Sequence, residues 1–212
     1  QAGEKTATGE QRTLTLPDGS TLILGTASAI DVAFDAQRRS VALYEGEILV
    51  QTARDPAPTP RPFVIHSRQG MVRAIGTRFT VRQHDGRSVV AVLQGAVELT
   101  PRHAPQAARI IQAGSQAGFT SASVDAPKPL PPLAGAWAQG TLHAERMPLA
   151  DFCAELSRYR PGLLRCDPAV AALRVSGSFQ LRDTDAILAM LQETLPVRVT
   201  PRTRYWVTVG PR

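Results

Sequence analysis

The histidines are the first residues of this chain that could carry acid–base or metal chemistry. There are four, and none belongs to a His-x-x-x-His or His-Glu-x-x-His pattern, which would place two imidazoles on one helix face as zinc ligands. A Gly-x-Ser-x-Gly nucleophile elbow and the glycine-rich phosphate loops of the Walker and Rossmann types are also missing from the sequence. We therefore expect no catalytic residue, metal or cofactor, and surface or loop positions for His66, His84, His103 and His143.

One pair of carboxylates has a spacing that suits catalysis. Glu45 and Glu47 flank Gly46, and residues two apart on a strand project from the same face. General acid–base work also requires a cleft and a raised carboxyl pKa. The glycine lies between two strand patterns and indicates a turn, so we expect both carboxylates to be solvated.

The two cysteines, Cys153 and Cys166, allow two interpretations. A structural zinc site needs four nitrogen or sulfur ligands in clusters, and two cysteines are too few for a mini-protein held together by disulfides. They are either two small apolar core residues or, in an oxidising compartment, one disulfide.

The charge of the chain suggests a nucleic-acid binder, but its distribution argues against one. The net charge is +6 and the pI about 10.1. Only Lys5 and Lys128 are lysines, and the arginines are spread singly through strand patterns. A nucleic-acid binder shows a basic stripe with interleaved aromatic residues, whereas aromatic residues make up only 5% of this chain.

Short alternating segments fill the sequence from Arg12 to about Ser121. The large apolar residues Ile30, Val32 and Phe34 occupy every second position, as in a half-buried strand. Asp-Gly pairs between segments are strong hairpin signals. With no helical pattern between the strands, residues 1–123 are predicted to form an all-β sandwich or solenoid-like domain. The predicted strands are Arg12–Leu16, Thr21–Leu24, Ala29–Phe34, Val41–Tyr44, Ile48–Thr52, Phe63–His66, Val72–Ala74, Phe79–Arg82, Val89–Leu93, Val97–Leu99 and Arg109–Gln112.

Prolines concentrate in residues 124–136, and the pattern changes after them. Dense proline favours extended polyproline II and a semi-rigid spacer, so we expect a linker there and a second domain over residues 137–212. Helices are predicted at Pro148–Tyr159 and, behind the N-cap Asp183, at Thr184–Thr194. The resulting β-α-β then β-α-β-β order is two copies of one small unit, and the overall class is α+β. The predicted strands are Thr141–Ala144, Leu163–Cys166, Arg174–Leu181, Val197–Thr200 and Tyr205–Val209; the apolar helix positions are Leu149, Phe152, Cys153 and Leu156, then Ile187, Met190 and Leu191.

A series of short motifs extends along nearly the whole chain in one order. They are Arg12-Thr-Leu-Thr-Leu-Pro-Asp-Gly-Ser-Thr-Leu-Ile-Leu24, Ser28, Arg39-Ser-Val-Ala-Leu-Tyr-Glu-Gly-Glu47, Arg61-Pro-Phe-Val-Ile65, Val72-Arg-Ala-Ile-Gly-Thr-Arg-Phe-Thr-Val81, Gln94-Gly-Ala-Val97, Ala113-Gly-Ser-Gln116, Ala136-Trp-Ala-Gln-Gly-Thr-Leu142, Pro148-Leu-Ala-Asp-Phe152, Glu155-Leu-Ser-Arg-Tyr-Arg160 and Val175-Ser-Gly-Ser-Phe179. The series resembles the periplasmic region of FecR-type transmembrane anti-sigma regulators. Two departures are Ser157, where an asparagine commonly stands, and the unusually polar strand His143-Ala144-Glu145.

The resemblance implies a signal-relay binding protein and not an enzyme. Members of the family have a short cytoplasmic anti-sigma domain, one membrane helix and a periplasmic part. This chain would be the periplasmic part alone, in keeping with its lack of any run of about 18 apolar residues. Residues 137–212 would be an STN-like domain, named for secretins and TonB-dependent receptors. The implied periplasmic location also favours pairing of Cys153 with Cys166.

The implied partner is the N-terminal signalling domain of a TonB-dependent outer-membrane transducer that loads a ferric siderophore or a similar ligand. The signal would pass to an ECF sigma factor through the cytoplasmic domain. We expect the transducer to dock on the C-terminal domain by adding a strand to Arg174–Leu181 or Tyr205–Val209, steered by exposed arginines. Of the adjacent Tyr205 and Trp206, one should face inward and one outward. The predicted contact residues are Arg174, Val175, Ser176, Phe179, Arg182, Arg202, Arg204, Tyr205 and Trp206.

A protein of another class remains as the alternative. A periplasmic carbohydrate- or peptidoglycan-binding β protein with an STN-like appendage would also be built from these elements. Sugar binding by stacking calls for a cluster of exposed aromatic side chains, and this chain is poor in aromatic residues.

Overall fold

A computed structural model describes residues 3–203 and 205–212. The contacts divide the chain into two compact units. The β unit comprises the described residues up to Ala7 together with Gln11–Gly135, and the α/β unit comprises Thr8–Glu10 and Ala136–Arg212. In the described part of the chain, no helix is long and apolar enough to cross a membrane.

The β unit is built on one hydrogen-bonded sheet of eleven strands. Most predicted strands are present, and the mostly-β content of the chain is consistent with the predicted α+β class. The sheet is continuous and branches at its fifth and eighth strands. The strands are β1 (Glu4–Lys5), β2 (Arg12–Thr15), β3 (Thr21–Leu24), β4 (Ala29–Phe34), β5 (Arg39–Gln51), β6 (Phe63–His66), β7 (Gly70–His84), β8 (Arg87–Pro101), β9 (Arg109–Gln112), β10 (Ser115–Phe119) and β11 (Lys128–Pro129).

Two long strands bend at glycines where they change neighbours. The first half of β5 pairs with β4 and β6, and its second half pairs with β3 and β7. Gly46 lies at this change with φ +83°, and Gly76 occupies the equivalent place in β7 with φ +61°. A glycine with positive φ bends a strand without ending it. Gly95 within β8 also has a positive φ, +72°. The sequence prediction was therefore wrong to divide β5, β7 and β8 into two strands each.

The bends wrap the sheet around one apolar core. Its members come from β3 to β10 and include three fully buried phenylalanines, Phe63, Phe79 and Phe119. Phe34 packs edge-to-face on Phe63 with ring centroids 6.0 Å apart. Burial of side chains of this size is the main stabilising contribution in such a sheet.

The proline-rich stretch predicted as a linker contributes to the edge of the sheet. Val124 forms a bridge with Phe119, and Lys128–Pro129 pairs with Ser115–Gln116. An edge strand tolerates proline because one side of it needs no hydrogen-bond donors. The first part of residues 124–136 thus belongs to the β unit, and it is not a free spacer.

The α/β unit has its elements in the order β-α-β-β-α-β-β. The first strand pairs with the third in a two-stranded antiparallel sheet, and the remaining three strands form a second sheet. The two predicted βαβ copies therefore interleave. The elements are β12 (Thr141–Pro148), α1 (Leu149–Ser157), β13 (Leu163–Cys166), β14 (Arg174–Gln180), α2 (Thr184–Thr194), β15 (Val197–Thr203) and β16 (Trp206–Pro211).

Both helices bury an apolar stripe in a second core. The stripe of α1 is the predicted one, and Phe152 packs on Phe179 of β14 with centroids 4.9 Å apart. The Asp183 side chain caps α2 by accepting a hydrogen bond from the Ala186 N–H at 2.9 Å. Met190 is 47% exposed and Leu188 is buried, so the predicted stripe of α2 was wrong at this position.

Candidate docking surface of the α/β unit

The carboxylates that suggested catalysis lie in unlike surroundings. The Glu45 side chain is 69% exposed, with a long contact of 3.9 Å to Arg68. Glu47 is only 8% exposed, so the expectation that both are solvated is wrong for Glu47. The reason is that Gly46 is a bend inside β5, which carries the next residue into the sheet.

The histidines form no shared site in the described residues. His84 and His103 are exposed. His66 is half-buried, and its pKa is lowered first by burial and then by the charges of Arg38 and Arg102. His143 Nδ1 lies 2.9 Å from Ser178 Oγ. No group of three or more His, Cys, Asp or Glu side chains suited to a metal ion occurs in the described part of the chain.

The predicted contact residues divide between core and surface. Val175 and Phe179 are 3% and 6% exposed and belong to the core of the α/β unit. Their prediction as contact residues was wrong, because alternation along β14 turns both inward. Arg174, Ser176, Arg182 and Arg202 are exposed, and Arg204 lies outside the described residues.

Tyr205 and Trp206 are both exposed, at 54% and 40%. The prediction that one faces inward was wrong because β16 begins only at Trp206. Tyr205 belongs to the turn before it, where its N–H donates to Thr203 Oγ1 at 3.2 Å. Strand alternation does not extend into such a turn.

One of the two strands predicted to accept a partner strand is closed to it. β16 lies between β13, which runs parallel to it, and β15, which runs antiparallel. Both of its sides are therefore hydrogen-bonded within the sheet. The prediction that Tyr205–Val209 accepts a partner strand is wrong for this reason.

The other predicted strand, β14, has an open side. In the described structure it pairs only with β12. The Leu181 N–H donates to Gly140 O at 2.9 Å, and Gln180 is opposite Thr141 in the next, non-hydrogen-bonded position. Because the two kinds of pair alternate in an antiparallel ladder, the N–H of Gln180 and both backbone groups of Ser178 point to the open side. The Gln180 carbonyl already accepts the Asp183 N–H at 3.4 Å.

The other sheet edges of this unit are less suited to strand addition. On β15, Gln192 Oε1 accepts the Val199 N–H at 2.6 Å, and Pro201 has no N–H to offer. β12 has a register shift between Ala144 and Met147. The remaining edge strand, β13, has only four residues. Short, bulged or proline-containing edges resist pairing, so β14 presents the most regular open edge of the four.

Arginines stand at both ends of β14. Arg174 is its first residue, and Arg182 follows two residues after its last. Arg174 donates to the backbone O of Arg146 at 3.1 Å, which holds its guanidinium near the strand. An acidic strand approaching this edge would meet a positive charge at each end.

The three-stranded sheet has a basic outer face that the sequence analysis did not identify. The guanidinium of Arg165 lies over the Trp206 ring, 5.6 Å from its centroid. No Asp or Glu occurs within β13, β15 or β16. The alternating pattern of Leu163–Cys166 was the sequence signal that could have predicted an outward-facing Arg165. By strand alternation, this outer face is formed by Leu163, Arg165, Arg198, Thr200, Trp206 and Thr208.

Comparison with solved structures shows the same fold over the whole chain. Two crystal structures, each of a candidate anti-sigma factor from Parabacteroides distasonis ATCC 8503, match with TM-scores of 0.78 and 0.77. Both are 24% identical in sequence, and the matches cover 99% of this chain and 98% of each of those chains. At this identity the likeness shows the fold alone.

Comparison of the sequence with protein families and curated proteins gives one match. None of the curated proteins matches the chain. Residues 3–98 match the family described as FecR protein, and this range extends from the start of the described β unit into β8. The β unit of this chain is therefore built on a FecR-family domain at residues 3–98.

Proposed function

We propose that this chain is the periplasmic sensor and relay region of a FecR-like anti-sigma regulator. The FecR-family domain at residues 3–98 carries the proposal. The fold shared with two candidate anti-sigma factors supports it along the rest of the chain. In this role the chain binds a partner and passes on a change of state, for which it needs a binding surface and no catalytic group.

The partner in this proposal is the N-terminal signalling domain of a TonB-dependent outer-membrane transducer. Its docking would reach an ECF sigma factor through a membrane helix and a cytoplasmic domain of the same regulator, in cell-surface signalling for iron–siderophore uptake. The α/β unit, as an STN-like domain, receives the transducer.

The open edge of β14 is the proposed docking site. A partner strand there gains backbone hydrogen bonds from Ser178 and Gln180, while Arg174 and Arg182 steer an acidic segment to it. Val175 and Phe179 support the strand from the core side. The basic outer face is a second surface. It includes Trp206, and Arg202 lies in β15 of the same sheet; both are predicted contact residues.

Calorimetric titration of the whole chain with purified transducer signalling domains tests this function. We expect saturable binding to one of them. If none binds, and soluble peptidoglycan fragments bind instead, the carbohydrate-binding alternative replaces the relay.

Charge-reversal variants test the docking site once a binding domain is known. Arg174→Glu with Arg182→Glu should weaken binding about tenfold and flatten its salt dependence. Arg165→Glu with Arg202→Glu makes the same charge change on the second surface and is the matched comparison. An effect confined to the second pair would move the site to the basic outer face.

A further inference from the structure

The two cysteines of the α/β unit lie on elements that pack together. Cys153 is in α1 and is 1% exposed within the core. Cys166 ends β13, packs against the same core and is partly accessible. β13 packs against α1, and both cysteines are free thiols in this structure. Cys153 and Cys166 lie in different elements, so it is the packing of α1 against β13 that brings them to the same core.

Two other roles for this pair fit the surroundings poorly. A metal site needs further ligands, and no third His, Cys, Asp or Glu completes a group with them in the described residues. A purely apolar role suits Cys153. It does not suit Cys166, whose thiol is partly open to solvent and lies 3.7 Å from the backbone O of Asp167.

We propose that Cys153 and Cys166 are a redox pair that closes to an intramolecular disulfide and fastens α1 to β13. The oxidant is a disulfide-bearing molecule or protein. The Cys166 thiolate attacks one oxidant sulfur, forms a mixed disulfide and releases one oxidant thiol. Cys153 then attacks Cys166 Sγ and releases the second oxidant thiol. In total two S–H groups become one S–S bond, and the oxidant disulfide becomes two thiols.

The surroundings of the two thiols fix the order of these steps. Cys166 is the more accessible, so it meets the oxidant first. Burial raises the pKa of the Cys153 thiol to about 12, and burial also raises the pKa of Cys166. Since the thiolate is the reactive form, closure is slow in the folded unit and faster while the unit is folding.

The bridge would hold an exposed part of the unit in place. β13 has four residues, and among the described strands it pairs only with β16. β13 also packs against α1 through the shared apolar core. A covalent link at Cys166 would keep β13, and with it the position of Leu163 beside Trp206, in register. This inference does not depend on the proposed function or on any partner.

The first test counts thiols in the whole chain. The protein is unfolded, refolded with oxidised glutathione, unfolded again and alkylated, and its mass is measured. We expect no alkylated cysteine and a peptide that contains both Cys153 and Cys166, against two alkylated cysteines after treatment with dithiothreitol. Two free thiols after oxidation, or only glutathione adducts and intermolecular dimers, would overturn the proposal.

The second test uses the tryptophans, which both belong to the α/β unit as Trp137 and Trp206. Their fluorescence therefore follows the unfolding of this unit within the whole chain. The oxidised wild type should unfold at a temperature on the order of 10 °C higher than the reduced wild type. Equal midpoints would contradict the fastening of α1 to β13.

Two single variants test the order of attack. In folded Cys153→Ala, Cys166 should form a glutathione adduct at least about tenfold faster than Cys153 does in folded Cys166→Ala. Equal rates would contradict the assigned order. Should either variant fail to fold, the comparison of oxidised with reduced wild type still decides the proposal.

Discussion

At the scale of single residues, Arg39 links two buried carboxylates in the β unit. Its Nη1 lies 2.7 Å from Asp18 Oδ2, and its Nε lies 3.8 Å from Asp55 Oδ2. The side chains of Asp18 and Asp55 are 0% and 1% exposed. Arg61 also binds Asp55, at 2.9 Å. This network ties the β2–β3 turn and the loop between β5 and β6, which carries Asp55 and Arg61, to the start of β5.

Removal of Arg39 should destabilise the β unit strongly. Arg39→Ala leaves the Asp18 carboxylate buried without its cation, and we expect a loss of about 3 kcal/mol in the free energy of unfolding. Urea unfolding followed by circular dichroism measures this loss. The matched control is the neighbour Arg38, which pairs with Asp35 at 3.5 Å while both side chains are about half exposed. Arg38→Ala should cost less than about 1 kcal/mol, and equal losses would contradict a stabilising role for the buried network.

The same carboxylates predict acid sensitivity. Burial acts to raise the pKa of Asp18, but hydrogen bonds from Ser20 and Arg39 outweigh it, so the pKa is lowered from 3.8. The hydrogen bond from Arg61 is the main cause that lowers the pKa of Asp55. A carboxyl whose pKa is lower in the folded state stabilises the fold above its unfolded pKa, and this contribution is lost as the pH falls.

The urea midpoint of the β unit should therefore fall between about pH 5 and about pH 2.5. In Arg39→Ala the fall should be shallower, because Asp18 has lost one of the groups that lower its pKa. Identical pH profiles of wild type and variant would show that Arg39 does not contribute to this linkage.

At the scale of elements, the bend of β5 depends on close packing at Gly46. A Cβ on Gly46 would lie 2.2 Å from Ser28 Oγ and 2.6 Å from Ser28 Cα. The Ser28 hydroxyl donates to Glu47 O and accepts from the Glu47 N–H, both at 3.0 Å. The serine therefore secures the backbone directly after the bend.

Replacement of Gly46 by alanine should lower the free energy of unfolding by more than the positive φ at this position alone explains. We expect Gly46→Ala to lower the free energy of unfolding of the β unit by at least about 3 kcal/mol. Gly86 is the matched control, since it has φ +70° and open space around its Cβ position. Gly86→Ala should cost about 1 kcal/mol. Similar costs in urea unfolding would show that the contact with Ser28 does not matter.

The proposed docking edge also gives a prediction at this scale. Gln180→Pro removes an N–H that points to the open side of β14 and leaves the Leu181 bond to Gly140 intact. Partner binding should fall at least about tenfold, with tryptophan fluorescence unchanged. Gln180→Ala keeps the N–H and should bind like the wild type. Normal binding by the proline variant would exclude strand addition at this position.

These elements also show how far local pattern predicts the fold. Alternation located most strands of the β unit, and helical spacing located α1 with its buried residues. Glycine signals were ambiguous, because a positive φ serves a hairpin turn and a strand bend equally well, as Gly46 shows. The central place of β16 could not be predicted, since strand order depends on long-range pairing and not on the residues within the strand.

At the scale of the whole molecule, the family match and the proposed docking site lie mainly in different units. The FecR-family match covers residues 3–98, which lie in the β unit apart from Thr8–Glu10, whereas the open edge of β14 and the basic outer face lie in the α/β unit. The fold likeness to two solved structures extends over both. The family was predictable from ordered motifs. The sequence predicted two candidate strands for docking, and the choice of β14 over β16 needed the structure, because the open side of β14 follows from tertiary pairing.

Hydrogen exchange with mass spectrometry, on the whole chain with and without a bound transducer signalling domain, tests the central claim most directly. The account predicts new protection of backbone amides at Ser178 and Gln180 in β14, because an added partner strand would bond them. It predicts little change at the central strand β16. Protection confined to the β unit, or none at β14 in a saturated complex, would contradict docking on the α/β unit by strand addition.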